Sequence, residues 1–260
     1  MEDSSLDVQV LVSTLNDGLL KIRIIDSMKY IVVHQITNDK NYENYIGDNF
    51  GENVVYVAMD GVKGLSRSRN LALLKSTSRY LWIMDDDVEI MEDALSNISK
   101  VVSSYKADLF VFRHLNKGGE NINVKNEPFF INKFQCGMVS SIDMLIDNSG
   151  KAKDLFFDEF FGLGTSQPSG EEFIYSCDLI DRGGKILATD VLTSIHPEIE
   201  SGFDFFSSST LVYTKLKMFR RAFGWIIGTL AFNVFIVKKL PVIIREKALL
   251  RFVSVLFRKG

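Results

Sequence analysis

Gly61 to Asp87, GVKGLSRSRNLALLKSTSRYLWIMDDD, carries the decisive reading of this chain. Its last part, Arg79 to Met84 (RYLWIM), is a short apolar run of the kind that forms a buried strand, and it delivers the chain into three consecutive carboxylates, Asp85-Asp86-Asp87. Before it, Ser66 to Lys75 reads as a helix with Leu71 and Leu74 on its apolar side. Before that, Gly61 to Gly64 is a loop feeding the helix N-terminus. Loop, helix, strand and acids in that order are the second half of a βαβ unit, and they place the acids at the carboxyl end of a strand.

Similar runs lie on the N-terminal side. Asp7 to Leu15 (DVQVLVSTL), followed by Asn16-Asp17-Gly18, reads as a buried strand closing in a turn. Tyr30 to Gln35 (YIVVHQ) and Asn53 to Ala58 (NVVYVA) repeat the pattern. Short apolar strands alternating with helices predict an α/β domain, an open and mostly parallel sheet covered on both faces. On the C-terminal side, LFVFRHL and PFFINKF are strand-like, the Gly-punctuated loop Phe160 to Gly164 precedes a helix beginning near Gly170, and Lys185 to Ile195 reads as a further short strand. The loose Ser201 to Thr210 stretch is the expected boundary, dividing a catalytic domain (1–205) from a C-terminal region (206–260).

Composition fits that architecture. The chain has 260 residues, 46% hydrophobic and 24% charged, which supports a substantial core and excludes disordered, collagen-like and small disulfide-framed classes. The net charge of −3 hides an asymmetry: residues 211–260 hold eleven Lys/Arg against one Glu, leaving 19 Lys/Arg against 32 Asp/Glu in residues 1–210. Cys136 and Cys177 form no CxxC pair and read as buried thiols of a reducing compartment, and no signal peptide is expected at the N-terminus.

Three carboxylates at a strand end are costly to bury without a partner. A hard divalent cation, Mg²⁺ or Mn²⁺, would relieve that cost and bridge a diphosphate through its remaining positions; a solvated acidic turn is the plainer alternative. The loop before the helix, with small residues and Arg67 and Arg69 at the helix N-terminus, suits a phosphate. One helix plus one strand separates Asn70 from Asp85, so a parallel sheet can return both to one edge.

G-x-x-x-x-R-N on a helix, followed by an apolar strand into an Asp triplet, resembles the nucleotide-sugar-dependent glycosyltransferases of the GT-A fold, family 2-like, over about residues 7–200. The resemblance implies a UDP-sugar donor and further site residues. Ser13 and Thr14 correspond to the uridine-binding edge, and Asn38 and Asp39 to the base-reading position. Gly64, Arg69, Asn70, Asp85 and Asp86 join the donor site, with Arg69 on the diphosphate. Asp85, Asp87 and His196 are the implied metal ligands. Gly170-Glu171-Glu172 is similar to the family's G-E-D helix start, in which the second acid is the base; here that acid is one methylene longer. Glu172 is favoured as the group that takes the acceptor proton, with Glu171 the alternative; helix N-terminal acids held by the dipole are the structural reading of the pair.

His34 and His114 read as structural. The aromatic stretch Phe156 to Gly164 is either an acceptor-side wall, with Asp158, Glu159 and Gly162 as acceptor contacts, or core. Ala222 to Val237 is sixteen largely apolar residues bracketed by basic pairs, short of the roughly 20 needed to cross a bilayer untilted. After Pro241 a basic amphipathic helix is expected, with Arg245, Lys247, Arg251, Arg258 and Lys259 on one arc. An anionic membrane surface is the favoured partner of this tail, ahead of an oligomer interface or a true span; nucleic acid is disfavoured because the basic residues interleave with aliphatics.

The expectation is therefore an inverting, metal-dependent glycosyltransferase at the cytoplasmic face of the inner membrane. It would move a sugar to a glycan, lipid-linked acceptor in cell-surface polysaccharide synthesis of the O-antigen or capsule type. Three rivals stand against it. A sugar nucleotidyltransferase would want a Gly-rich phosphate loop after the first strand, which VSTLNDGLLK is not. A prenyl-diphosphate enzyme is all-helical, and a non-catalytic nucleotide-sugar or glycan-binding protein would have no need of the acid set.

Overall fold

A computed structural model describes residues 6–116, 127–197, 208–245 and 252. In chain order the elements are β1 (Val8–Leu15), β2 (Lys29–Ile36), α1 (Glu43–Asn49), β3 (Val54–Asp60), α2 (Leu65–Lys75), β4 (Tyr80–Asp85), β5 (Glu89–Ile90) and α3 (Ala94–Ser104). They are followed by β6 (Leu109–Asn116), β7 (Phe129–Ile131), β8 (Met144–Asp147), α4 (Glu171–Asp181), β9 (Ile186–His196), α5 (Ser209–Phe223) and α6 (Trp225–Arg245).

The strands form one sheet in the order β3-β2-β1-β4-β8-β6-β9-β5, with β7 on β9. β3, β2, β1 and β4 are parallel neighbours, as are β6 and β9. β8 enters antiparallel between β4 and β6, and β5 and β7 pair antiparallel with β9, so the sheet is mixed. The local reason for β8 is its approach: a 3₁₀ turn, Ser141–Asp143, rather than a crossover helix leads into it. PFFINKF is strand only at Phe129–Ile131, because Asn132 and Gln135 form a reciprocal cap that starts a 3₁₀ turn at Lys133.

The period of two in the strands sorts the core into two layers. Leu81 and Ile83 of β4 join Leu11, Ile31 and Val33 under α2 and α4. Trp82 and Met84 point the other way, with Val10, Val12 and Val32, toward α3. Helix α2 departs from its expected face: Leu74 is 67% exposed, whereas Ser66, Ser68, Arg69, Asn70 and Ala72 are buried. Its inward side is polar because it lies on the site. Cys136 and Cys177 are both buried and free.

Helix α5 packs on α4, with Phe173 against Phe219 at 5.6 Å between ring centres, and contributes Met218 and Ala222 to the core under α4. Gly224, at φ 78°, divides the expected apolar segment between α5 and α6. Helix α6 continues through Pro241 rather than ending there. Of the residues named for the expected basic amphipathic helix only Arg245 lies within the described residues.

Candidate active site

Parallel strands ending side by side bring β1, β2 and β4 to one edge, as the β1–β4 pair Ser13 and Asp85 makes plain. A cavity of about 300 Å³ opens there, lined by Ser13, Thr14, Gln35, Lys63, Gly64, Asp85, Asp86, Asp87, Leu163, Gly164 and His196. Of the expected donor and metal residues, Ser13, Thr14, Gly64, Asp85, Asp86, Asp87 and His196 come to it from four separate segments, whereas Asn38, Asp39, Arg69 and Asn70 do not line it. A second cleft of about 380 Å³, flanked by Lys21, Arg23 and Pro197, shares Asp87.

The three aspartates are treated differently. Asp85 accepts from Arg69 Nη2 at 3.0 Å. Asp86 accepts from Thr14 Oγ1 at 2.6 Å, and burial pushes its carboxyl above the ordinary range despite that bond. Asp87 faces His196, with Nε2 to Oδ1 at 3.6 Å. Behind His196 stands His114, ring centres 6.0 Å apart, fixed by Asp143 at 2.9 Å. His34 is structural, its nitrogens 2.9 Å from Tyr56 Oη and from the Asn16 carbonyl.

Gly18 is a site residue that nothing in the local sequence pattern singles out. A Cβ there would overlap Asp86 Oδ2 and lie 2.5 Å from Thr14 Oγ1. Gly18→Ala is expected to cost about 1–3 kcal/mol in urea unfolding through this overpacking, and to weaken nucleotide binding in titration calorimetry by displacing Asp86. Unchanged stability and affinity would mean that the turn after β1 shifts freely.

Arg69 is the centre of the constellation. It is 1% exposed, and its two terminal nitrogens reach Asp85 and Glu171, each at 3.0 Å. Burial alone would lower its pKa, but Asp85 and Glu171 hold the guanidinium above its ordinary value. The side chain therefore lies beneath the cavity, and the structure uses it as a clamp between β4 and α4 rather than as the expected diphosphate contact. Asn70 is also put to another use: its amide donates to the Phe157 carbonyl at 2.9 Å and accepts from the Phe157 N–H at 2.7 Å, fastening the acceptor-side loop.

That loop is a stack of glycines. Gly162 and Gly164 have φ of 106° and 85°, and Gly164 lies so close that a Cβ would be 3.2 Å from the Gly64 nitrogen. Leu65 N–H donates to Leu163 O at 2.9 Å, and Gln35 Oε1 accepts from Gly64 N–H at 2.7 Å. Gln35 and Lys63 are cavity residues that sequence reading passed over; the only sign was their position, at the end of a strand run and before a helix.

Helix α4 begins at Gly170, in the left-handed region, and places Glu171 and Glu172 in its first turn. Glu171 is committed to Arg69. The Glu172 side chain is half-buried, and desolvation together with the neighbouring Glu171 pushes its pKa up to about 8. Lys215 of α5 lies close enough to oppose that rise. The remaining expected residues fall at the margin. Asp158 accepts from Arg221 Nε at 2.8 Å. Glu159 is exposed, reached by Arg67 and Asn70. Asn38 donates to Tyr42 Oη, which donates to Asp17, while Asp39 is exposed outside the cavity lining.

The donor set fits a hard divalent cation in part. Asp87 and His196 face each other at 3.6 Å, but among the described residues no three His, Cys, Asp or Glu side chains are gathered around one point. Such an ion would take its other ligands from phosphate and water.

Residues 39–157 match the model for glycosyl transferase family 2. Among solved structures, S. aureus TarS 1-349 in complex with UDP is similar over 84% of this chain and 67% of that one, at 14% identity and a TM-score of 0.55. The same protein in complex with UDP-GlcNAc aligns over 96% and 80%, at 12% identity and a TM-score of 0.58. The longer TarS structure aligns over 84% of this chain and 40% of that one, at 15% identity and a TM-score of 0.54. At these identities the likeness is one of fold. No curated protein matches the chain.

Proposed function

We infer that this chain, of GT-A fold, is a glycosyltransferase of the family 2 type and moves a sugar from a UDP-sugar to a glycan hydroxyl with inversion. The observation that carries the reading is the Arg69 clamp. It ties Asp85 at the end of β4 to Glu171 at the start of α4, and so holds the acidic triplet and the Glu171-Glu172 pair at one site. The UDP and UDP-GlcNAc held by TarS support a uridine diphosphate donor here.

In this reading Ser13 and Thr14 lie along the nucleotide, with Asn38 and Asp39 at its base and Lys63 and Gly64 beside the phosphates. Asp86, kept in place by Thr14 and by the room Gly18 leaves, faces the donor. Asp87 and His196 would hold Mn²⁺ or Mg²⁺, with Asp85 beside them; such an ion supplies charge neutralisation to the departing diphosphate. Glu172 takes the proton of the acceptor hydroxyl as that oxygen forms its bond to the anomeric carbon. The bond from that carbon to the UDP oxygen breaks, UDP leaves with the electron pair, and attack from the opposite face inverts the centre. The acceptor approaches along the loop that carries Asp158, Glu159 and Gly162, and we assign it to a glycan of cell-surface polysaccharide synthesis, carried on lipid.

The test is thermal stabilisation and slow hydrolysis across UDP-, GDP- and CDP-sugars, with Mn²⁺, Mg²⁺ or chelator. A ligand that binds only the native state must raise its stability. One UDP-sugar is expected to stabilise the protein in a metal-dependent way, and Asp87→Ala is expected to abolish metal-dependent transfer with the melting temperature retained. Full activity in Asp87→Ala would remove the metal from that residue, and silence across the panel would leave the chain a binding protein.

A further inference from the structure

Helix α6 is apolar on two sides, and only one of them is used. Gly228, Phe232 and Ile243 are buried, the latter two in a small core with Val212 and Leu216 of α5. On the other side Ile226, Leu230, Val234, Val237 and Ile244 are exposed at spacings of four, four, three and seven, which is one continuous stripe along the helix. Trp225 stands at its start, 69% exposed, with the Arg220 guanidinium 5.0 Å from its ring centre. An exposed apolar stripe of this length is a docking surface.

We propose that this stripe seats α6 in the plane of an anionic bilayer, as a monotopic anchor that holds the α5–α6 hairpin flat on the membrane. Charge selects the partner. Residues 209–245 contain seven Lys/Arg and no Asp or Glu. Two copies brought together along this segment would oppose like charges, whereas anionic headgroups would complement Arg220, Lys238, Lys239 and Arg245 at the ends of the stripe.

Packing selects the in-plane orientation. At 21 residues, with a mean hydropathy of 1.8 over its most apolar stretch, α6 is long and apolar enough to cross a bilayer. It is locked to α5, however: a Cβ on Gly228 would lie 2.5 Å from Arg220 Cα, and Arg220 Nε donates to Thr229 Oγ1 at 2.9 Å. Helix α5 is in turn fixed to the catalytic core by Arg221 with Asp158 and Asp178, and by Thr214 with Gln167. A spanning α6 would draw that charged helix into hydrocarbon or tear it from the site. Lying flat, the hairpin keeps Lys215 beside Glu172 and Arg221 on Asp158 and Asp178.

The proposal stands apart from the reaction assigned above, and vesicle binding reads it without turnover. The full chain is floated with vesicles of phosphatidylcholine alone or mixed with phosphatidylglycerol. It is expected to bind the mixed vesicles, less so in high salt. The triple variant Ile226→Ser, Leu230→Ser, Val234→Ser is expected to weaken binding by at least about tenfold while its melting temperature and response to UDP-sugars match the parent. Depth is read with brominated lipids on the double variant Trp225→Phe, Val234→Trp, in which the one remaining native indole, Trp82, is buried in the core as a constant background. Bromines near the headgroups are expected to quench it best. No vesicle binding, binding unaffected by the triple variant, or strongest quenching at the bilayer centre would each overturn the in-plane anchor. So would a lipid-free dimer that the triple variant dissociates.

Discussion

Glu172→Gln is expected to fold, bind a UDP-sugar with near-parental affinity and lose transfer by roughly 10²–10⁴-fold, the range associated with a positioned general base. At the middle of that range the loss is about 4 kcal/mol of transition-state stabilisation. Glutamine keeps the shape and most of the hydrogen bonding but cannot take a proton. The pH profile supplies an independent check. The base must be ionised to act, and burial with Glu171 alongside raises its pKa to about 8, so the parental rate should climb with pH and level off near there. Stability moves the opposite way. A carboxyl whose folded pKa lies above its unfolded value stabilises the fold at low pH and loses that contribution as pH rises through the folded value. Removing the ionisation should therefore leave Glu172→Gln as stable as the parent in acid and relatively more stable toward pH 8 and above. A parental rate in this variant would move the base elsewhere, and a lower melting temperature at pH 8 would contradict the raised pKa of Glu172.

Arg69→Met should produce a large loss of stability. The substitution keeps much of the volume over Phe157, whose ring centre is 5.7 Å from the guanidinium carbon, but leaves Asp85 and Glu171 facing each other without a cation. Breaking a buried pair in this way costs about 3–5 kcal/mol. For a chain of this length each kcal/mol is worth roughly 2–4 °C of melting temperature, so a fall of roughly 6–20 °C is expected, with donor-dependent stabilisation reduced. Adding Glu171→Gln to Arg69→Met should return part of the loss, because one of the stranded charges is gone. A double variant no more stable than the single, or a single variant melting with the parent, would show that the clamp does not hold β4 to α4.

Most of the frame was legible because it is local. Val8–Leu15, Lys29–Ile36 and Tyr80–Asp85 are apolar runs bounded by turn residues, and burial on both faces of a sheet requires such runs; Val54–Asp60 carries the same kind of run at the sheet edge, where it is only partly covered. The acidic triplet at a strand end and the Gly170 start of α4 were readable for the same reason. The antiparallel entry of β8 was not, because strand direction is set by how the chain arrives, and a four-residue strand after a 3₁₀ turn leaves no periodic trace. Leu74 misled because amphipathicity assumes an apolar neighbour, and α2 faces a polar site.

The amino-acid sequence by itself determined the α/β class, the strand edge on which the site is built, and the residue types gathered there; these follow from hydrophobic period, turn chemistry and the cost of burying carboxylates. Only the tertiary structure decided what each side chain does. Arg69 became a clamp and Asn70 a fastener because their partners, Glu171 and Phe157, arrive from 102 and 87 residues away. Gly18 became a site residue because Asp86 and Thr14 pack against it, and α6 was locked onto α5 because Gly228 lets the two backbones touch. Hydrogen bonds and close packing between distant segments depend on distances that no local pattern encodes.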